Sequence, residues 1–269
     1  LKYSSLLALL GSPFLSIQVF ADDISWSADC TSTNCGNTID GGDTVTGLGN
    51  ITTNLEPALV IRGDGNQVIQ TGNLVTSGYN GFDDADGIVI GSPHGFQDKQ
   101  NQITVNGDII VSGQGNNAIY LTNTNTNQIT INGDITTSGD YGYGFILENS
   151  DGNTIQLNGA VNILGDQSVS FGGFISSNSN NNTVYITDDF YYLINQGAET
   201  FVNNSGSITG GLQNDGSIRT ISNTGNITDL SNQPGGQIGI YINEGIYNYG
   251  GGNISKLDNW DRINVIDNQ

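Results

Sequence analysis

The chain is poor in positive charge, in proline and in sulphur-containing residues. Its 269 residues include 6 Lys plus Arg, 4 Pro, 2 Cys, one His and no Met, against 26 Asp plus Glu, so the formal net charge is -20. Nucleic acids and anionic lipids are bound through basic surfaces. The composition therefore argues against a nucleic acid or an anionic membrane surface as a partner.

Charged residues of either sign are scarce. They make up 12% of the chain, compared with about 25% in an average soluble protein. Asn, Thr, Ser and 39 Gly supply the polar character instead. Such a composition can also belong to a disordered chain, but the regular columns of Ile and Val described below argue against disorder for residues 37–206.

A repeat occupies the centre of the chain. The nine residues that begin at Asn101, NQITVNGDI, return at Asn127 as NQITINGDI, an offset of 26 residues. Looser copies begin at Asn66, Asn153 and Asn182. A fixed period between about 20 and 50 residues indicates a repeat architecture.

Apolar residues alternate within each copy, as they do in strands with one buried face. Asn-Gly and Ser-Gly steps lie between these strands and favour corners, because Asn and Gly tolerate positive φ. Three strands and three corners in 26 residues predict one coil of a right-handed parallel β-helix, an all-β solenoid. A β-sandwich is the alternative, but its strands would not reproduce the sequence in register.

Stacked coils should place like residues in columns. One predicted apolar column contains Val68, Ile103, Ile129, Ile155 and Val184, and a second contains Leu74, Ile109, Ile135 and Val161. We also predict an outer column of asparagines whose side-chain amides form a ladder along one corner. Its members are Asn66, Asn101, Asn127, Asn153 and Asn182.

The sequence divides into four segments. Residues 1–21 combine a basic start, an apolar stretch and small residues before the Ala21–Asp22 bond, which predicts a cleaved secretory signal peptide. Residues 22–36 are interpreted as a cap, and residues 37–206 as coils of about 26 residues. In residues 207–269, Asn-x-Gly-x-Ile units recur every nine or ten residues, which predicts narrower coils of about 20 residues. With no polar cap after the last coil, we expect the chain to be the front part of a longer protein.

Cys30 and Cys35 are the two cysteines, and both follow the predicted cleavage site closely. Export to an oxidising compartment favours a disulfide between them, which would lock the start of the first coil. The alternative is a metal site, but two cysteines need further ligands, and the single His94 is distant in sequence.

These features resemble the passenger domains of bacterial autotransporters. The resemblance is carried by the signal peptide, the Asn-Gly-Asp-Ile coils and units such as Asn223-Thr224-Gly225-Asn226-Ile227, and it covers nearly all of residues 22–269. It implies export from a Gram-negative bacterium and display at the cell surface or outer membrane, often as an adhesin or virulence factor. It also implies an outer-membrane β-barrel translocator as a partner. The sequence contains no such barrel after residue 206, so the barrel is expected downstream or as a separate chain.

An enzymatic function is the main alternative to a non-enzymatic adhesin. A serine protease needs a positioned triad and an oxyanion hole, which His94 beside Ser92 in one loop does not supply. A β-helix polysaccharide lyase or hydrolase would need a base beside carboxylates. Between residues 63 and 218 the sequence has one basic residue, Lys99. We therefore expect no catalytic site and no obligate cofactor.

One corner of the coils concentrates acidic and aromatic residues, and we predict that it contacts partners. Tyr79, Gln114, Asp140 and Asp166 should occupy equivalent positions, about 4.8 Å apart per coil. Stacked carboxylates repel each other, and a bound Ca²⁺ would relieve the repulsion. The candidate ligands are Asp83, Asp84, Asp86, Asp140 and Asp166. The aromatic contacts, suited to a glycan or a protein surface of a host or bacterial cell, are Tyr79, Phe82, Tyr141 and Tyr143. The alternative is that Asp and Gly are simply favourable corner residues.

Overall fold

The computed structural model describes residues 23–26, 30–31, 37–47, 49–78, 85–91, 98–239, 246–248, 253–254, 256–259, 262–263 and 266–268. This part of the chain contains strands and turns but no helix. No helix within it could therefore cross a membrane. Neighbouring strands pair in parallel, one coil above another. The predicted all-β fold, a parallel β-helix, is confirmed.

The strands form three faces of the solenoid. The first face consists of Asp23–Trp26, Thr44–Gly47, Gln67–Gln70, Gln102–Val105, Gln128–Ile131, Thr154–Leu157, Thr183–Ile186, Thr200–Asn204, Ser217–Asn223, Gln237–Ile238, Ile246–Asn248, Arg262–Ile263 and Ile266–Asn268.

The second face consists of Cys30–Thr31, Ile51–Asn54, Leu74–Ser77, Ile109–Val111, Ile135–Thr137, Val161–Ile163, Asn226–Ile227 and Asn253–Ile254. The third face consists of Asn37–Asp40, Leu59–Arg62, Ile88–Gly91, Ile119–Thr122, Phe145–Glu148, Gly173–Ile175, Leu230–Asn232 and Leu257–Asn259. Two longer strands, Asp189–Asn195 and Ser207–Asn214, run through both of these faces and join them into one sheet. A small additional sheet pairs Asp98–Lys99 with Thr124–Asn125.

The predicted apolar columns are confirmed. Ile103 pairs with Ile129, and Ile129 pairs with Ile155 in the next coil. Each of these side chains is at most 1% exposed. Leu74, Ile109 and Ile135 are likewise successive partners in the second face. The core therefore fills the interior of the solenoid along its length.

The coils become shorter where the turn between the second and third faces is absent. Equivalent residues lie 26 apart in the central coils, then 29 apart, and 18 to 20 apart in the coils between residues 173 and 238. The spacing returns to 25 and 27 residues where Ile221 pairs with Ile246 and Leu230 pairs with Leu257. The shortening begins with the strand Asp189–Asn195, because it passes from the second face to the third without a turn between them. The predicted narrowing to about 20 residues is confirmed, and its cause is this continuous strand; the wider spacing that returns near the end of the chain was not predicted.

The asparagine ladder forms, but the prediction that it lies outside was wrong. Asn101 Nδ2 donates to Asn127 Oδ1 and Asn127 Nδ2 donates to Asn153 Oδ1, both at 2.9 Å. All five predicted members are at most 1% exposed. These amides point inward because each Oδ1 also accepts the backbone N–H of the equivalent residue one coil earlier, as Asn127 does for Asn101 and Asn66 does for Asp43. At a buried corner, that N–H needs an acceptor.

Glycine closes the turn between the first and second faces. A Cβ at Gly133 would lie 2.4 Å from the carbonyl oxygen of Gly107, its equivalent in the coil before. Within residues 22–36, which the sequence assigned to a cap, two short strands already pair with the next coil of the solenoid.

Candidate functional site

The structure describes part of the corner predicted from its acidic and aromatic residues. Tyr79, Phe82, Asp83 and Asp84 lie outside the described residues. The remaining members are Asp86, Asp140, Tyr141, Tyr143 and Asp166. The structure separates them into carboxylates that accept hydrogen bonds within and between the coils, and two tyrosines that line a groove.

Asp140 and Asp166 occupy equivalent positions in neighbouring coils, as predicted. The backbone N–H of Asp166 donates to Asp140 Oδ1 at 2.9 Å. Asp166 Oδ1 accepts from the hydroxyl and the backbone N–H of Ser168, at 2.7 and 2.9 Å. These two bonds lower the pKa of the Asp166 carboxyl. Both carboxylates therefore hold turns in place.

Asp86 lies inside the molecule. It is 1% exposed, and its Oδ1 accepts from the backbone N–H of Asn117 at 2.5 Å. In the described part of the chain, no group of three or more His, Cys, Asp or Glu side chains could hold a metal ion. Because Asp83 and Asp84 belong to the proposed ligand set, the calcium site stays a prediction.

The third face carries an outward column of apolar side chains that the sequence reasoning missed. Consecutive coils place these residues in register and leave all of them partly exposed: Val60, Val89, Tyr120, Ile146, Phe174 and Ile194. On the first face many outward positions are polar, for example Gln102, Gln128 and Thr154, and the exposed Ile69 and Tyr185 are isolated exceptions. The third face differs because its outward apolar residues form an unbroken column over six coils. A signal for it exists in the sequence, because in four of these six strands the outward residue is the middle of three consecutive apolar residues, at 59–61, 88–90, 119–121 and 145–147, which breaks the expected alternation.

Tyr141 and Tyr143 join this column to form what we call the aromatic groove. It has a volume of about 310 Å³ and is lined by Gly115, Asn117, Tyr120, Tyr141, Tyr143, Ile146, Glu148, Phe174 and Ser176. The Tyr143 ring centroid lies 5.7 Å from that of Phe171 and 6.1 Å from that of Phe174. Phe171 in turn lies 5.5 Å from Tyr192. These ring contacts brace one wall of the groove.

Tyr141 stands at the edge of the groove on a strained backbone. Its φ is +61°, whereas Gly115 has φ +80° at the equivalent position one coil earlier. A side chain in this region costs about 1–2 kcal/mol relative to an ordinary conformation. The ring is also 52% exposed. Backbone strain of this kind clusters at functional sites, and seven other described non-glycine residues also have positive φ.

Tyr120 and Glu148 form a polar pair within the groove. The Tyr120 hydroxyl donates to Glu148 Oε2. Burial, followed by this hydrogen bond, raises the pKa of Tyr120 to about 12. The hydroxyl therefore remains a donor at neutral pH. Burial also raises the pKa of Tyr143.

Asn117 supplies hydrogen-bond donors to the groove. It is 5% exposed, and its Oδ1 accepts from the backbone N–H of Tyr143 at 3.2 Å. Its own backbone N–H donates to Asp86 Oδ1. Asn117 is therefore held by hydrogen bonds to the coil before it, through Asp86, and to the coil after it, through Tyr143. Within the described residues its Nδ2 has no hydrogen-bond partner, yet Asn117 lines the groove. Asp86 therefore has a positioning role that the sequence did not predict.

A second groove adjoins the first, and we call it the amide groove. Its volume is about 350 Å³, and it is lined by Tyr120, Thr122, Asn123, Glu148, Asn149 and Asn178. Tyr120 and Glu148 line both grooves. Asn149 Nδ2 donates to Asn123 Oδ1 at 2.5 Å, which orients two of the amides. Together the grooves make a continuous surface across the third face, apolar at one end and rich in amides at the other.

Several predictions concern residues that the structure does not describe. Cleavage between Ala21 and Asp22 falls there, as does His94. Cys30 is described through its backbone alone, and Cys35 is not described, so the disulfide also stays a prediction.

The fold and the grooves together define the class of this protein: a parallel β-helix with an exposed aromatic and amide surface on one face. No family model, no curated protein and no solved structure matches the chain.

Proposed function

We propose that this chain is the β-helical passenger of an autotransporter-like protein. It is exported through its signal peptide from a Gram-negative bacterium and displayed at the cell surface or outer membrane, after passage through a β-barrel translocator in cis or on a separate chain. It acts there as a non-enzymatic adhesin or virulence-associated protein. The proposal rests on the signal-peptide pattern and the coil motifs in the sequence, and on the parallel solenoid.

The aromatic groove is the observation that supports a binding function. Soluble proteins rarely expose contiguous apolar surface without a partner for it. Here Tyr120, Ile146 and Phe174 face outward on three successive coils, beside the exposed Tyr141. Nothing in the geometry of the solenoid requires these positions to be apolar, since outward positions elsewhere hold Gln and Thr. The groove is therefore interpreted as the contact surface for a host or bacterial cell.

The chemistry of the grooves favours binding over catalysis. Hydrolysis of a glycoside generally uses two carboxyl groups that flank the scissile bond. Among the described residues, Glu148 is the one carboxylate that lines either groove, and its Oε2 accepts from Tyr120. A polysaccharide lyase needs a base, and Lys99 lines neither groove. The carbohydrate-active enzyme remains the less supported alternative.

Adhesion of beads coated with the full chain tests this proposal. We expect the coated beads to bind cultured epithelial cells or Gram-negative bacteria, and the double variant Tyr141→Ser, Tyr143→Ser to bind at least about tenfold more weakly, a loss of about 1.4 kcal/mol. Tyr185→Ser is the matched control, because Tyr185 is 40% exposed on the first face. Equal adhesion of both variants, each with an unchanged thermal midpoint, would contradict a role for the groove.

A further inference from the structure

We infer that the two adjoining grooves bind an extended, uncharged oligosaccharide. This inference rests on the proposed binding function and names its ligand class.

The shape favours a chain over a compact ligand. Each groove alone has a volume of about 310 or 350 Å³, near the lower limit for a small-molecule site. They share Tyr120 and Glu148, so one ligand can occupy both. The surface crosses the third face from the turn that bears Tyr141 to the turn that bears Asn178. A linear ligand of several units fits such a surface better than a single small ion.

The aromatic rings suit the faces of sugar rings. Tyr120, Tyr143 and Phe174 each present an aromatic side chain that is only partly buried. A pyranose ring has apolar C–H faces and a rim of hydroxyl groups, so it can stack on an aromatic ring while its rim stays polar. Tyrosine adds a polar tip to an apolar body, as an amphipathic ligand of this kind requires.

The polar groups of the surface are complementary to hydroxyl groups. Asn117 offers an Nδ2 amide that has no partner among the described residues, and Glu148 offers carboxylate oxygens. A hydroxyl both donates and accepts, so it can satisfy either group. An apolar ligand would bury the Asn117 amide without a partner, which is unfavourable. The side chains of Asn123, Asn149 and Asn178 line the amide groove, where they already hydrogen-bond to protein groups and add polar surface.

The charge of the grooves and of the whole protein favours a neutral saccharide over an anionic one, and the hydrogen-bonding groups disfavour a cationic ligand. A uronate or sialylated chain would meet Glu148 in a protein with a net charge of -20, without Lys or Arg in either groove. A quaternary ammonium group would suit aromatic rings and a carboxylate. The ammonium group itself carries no acceptor for the Asn117 amide, however, and a ligand of the size of choline fills only a fraction of the surface. A neutral chain of sugars uses both the donors and the acceptors.

Calorimetric titration of the full chain tests the ligand class. The probes are neutral hexasaccharides of glucose, mannose and N-acetylglucosamine, with hexagalacturonate as the anionic probe and choline as the cationic probe. We expect at least one neutral hexasaccharide to bind, and neither charged probe. Tyr120→Ala should weaken that binding at least about tenfold. Tyr185→Ala on the first face should leave it unchanged.

The variant Asn117→Asp tests more specifically whether the side-chain N–H donors of Asn117 bind the sugar. It keeps the Oδ1 acceptor for the backbone of Tyr143 but replaces the two N–H donors with an anionic oxygen. We expect it to weaken binding of the neutral hexasaccharide at least about tenfold, while circular dichroism and the thermal midpoint report whether the coil stays folded. Asn117→Gln retains the amide donors and would recover part of the affinity if the donors are what the sugar contacts.

The outcomes separate this inference from the proposed function. If hexagalacturonate or choline binds and no neutral probe does, the ligand class is wrong while a binding groove remains. If no probe binds and the groove variants still lose cell adhesion, the saccharide inference is likewise overturned and a protein partner takes its place. If adhesion is also unaffected, both the inference and the proposed function fail.

Discussion

Asparagine is the residue on which the corners of the solenoid depend. Its side chain has a carbonyl oxygen that accepts and an amide nitrogen with two N–H donors, so it can bond to its copies in the coils before and after it. Asn127 shows the pattern: Oδ1 accepts from Asn101, and Nδ2 donates to Asn153 Oδ1 and to Thr124 Oγ1. A side chain without this dual capacity would leave buried amides unpaired. The asparagine column is therefore structural, and its members stabilise the rod from within.

Replacing Asn127 with alanine should destabilise the protein strongly. The backbone N–H of Asn101 would lose its acceptor, and Asn101 Nδ2 would keep only its bond to the Gly63 carbonyl, at a cost of about 1–3 kcal/mol for each buried group left unpaired. Asn132→Ala is the matched control, since Asn132 belongs to an exposed ladder with Asn106 and Asn158. We expect it to cost less than about 1 kcal/mol. Chemical denaturation measures both, and equal losses would show that burial of the ladder does not matter.

The sequence predicted this ladder but not its direction. The repeated Asn at equal spacing indicated a column, because stacking brings equivalent residues together. Whether Asn101 and Asn127 point inward depends on the backbone of the corner, where a buried N–H needs an acceptor. Periodicity alone cannot show this, because it gives spacing along the chain and not the direction of a side chain at a turn.

At the scale of the strand, alternation separates the inside of the rod from the outside. In Gln128–Ile131 the exposed, buried and half-buried residues follow the period of two that the sequence displays. The strands of the third face depart from it. In Ile119–Thr122 the outward Tyr120 stands between two buried apolar residues. The residue at this outward position is Val, Tyr, Ile or Phe in different coils, so the column does not show in the sequence as a repeat of identical residues.

Substitutions at Ile129 and Thr130, which are neighbours in one strand, test this alternation of buried and outward residues. Ile129→Asn should lower the free energy of unfolding by about 3–8 kcal/mol, since it removes buried apolar contacts and buries an amide without a partner. Thr130 faces outward and is half-buried, so Thr130→Asn should cost no more than about 1 kcal/mol. Denaturant titration compares the two variants. A loss at Thr130 as large as that at Ile129 would contradict the assignment of the inner and outer sides of this strand.

For the whole molecule, the dominant electrostatic feature is the excess of acidic residues along a rod. The 26 Asp plus Glu are offset by only 6 Lys plus Arg, and the described ion pairs join Arg219 to Glu199 and Lys256 to Asp229. Like charges on a folded chain repel each other and destabilise the compact state. The excess of acidic residues can be predicted from the sequence alone, because the net charge does not depend on the fold. It does not show whether any carboxylates share a cation, since that depends on their positions in space.

The thermal midpoint should therefore rise with ionic strength. Salt screens repulsion between exposed charges, with a Debye length of about 10 Å at 0.1 M, so NaCl raised from about 10 mM to about 0.5 M should stabilise the protein.

CaCl₂ at matched ionic strength then tests the predicted calcium site. A bound cation would raise the midpoint beyond the NaCl value, because a ligand that prefers the folded state stabilises it. The double variant Asp140→Asn, Asp166→Asn would lose that additional rise. Equal midpoints in the two salts would attribute the whole effect to screening, and a midpoint that does not respond to NaCl would contradict the role assigned to net charge.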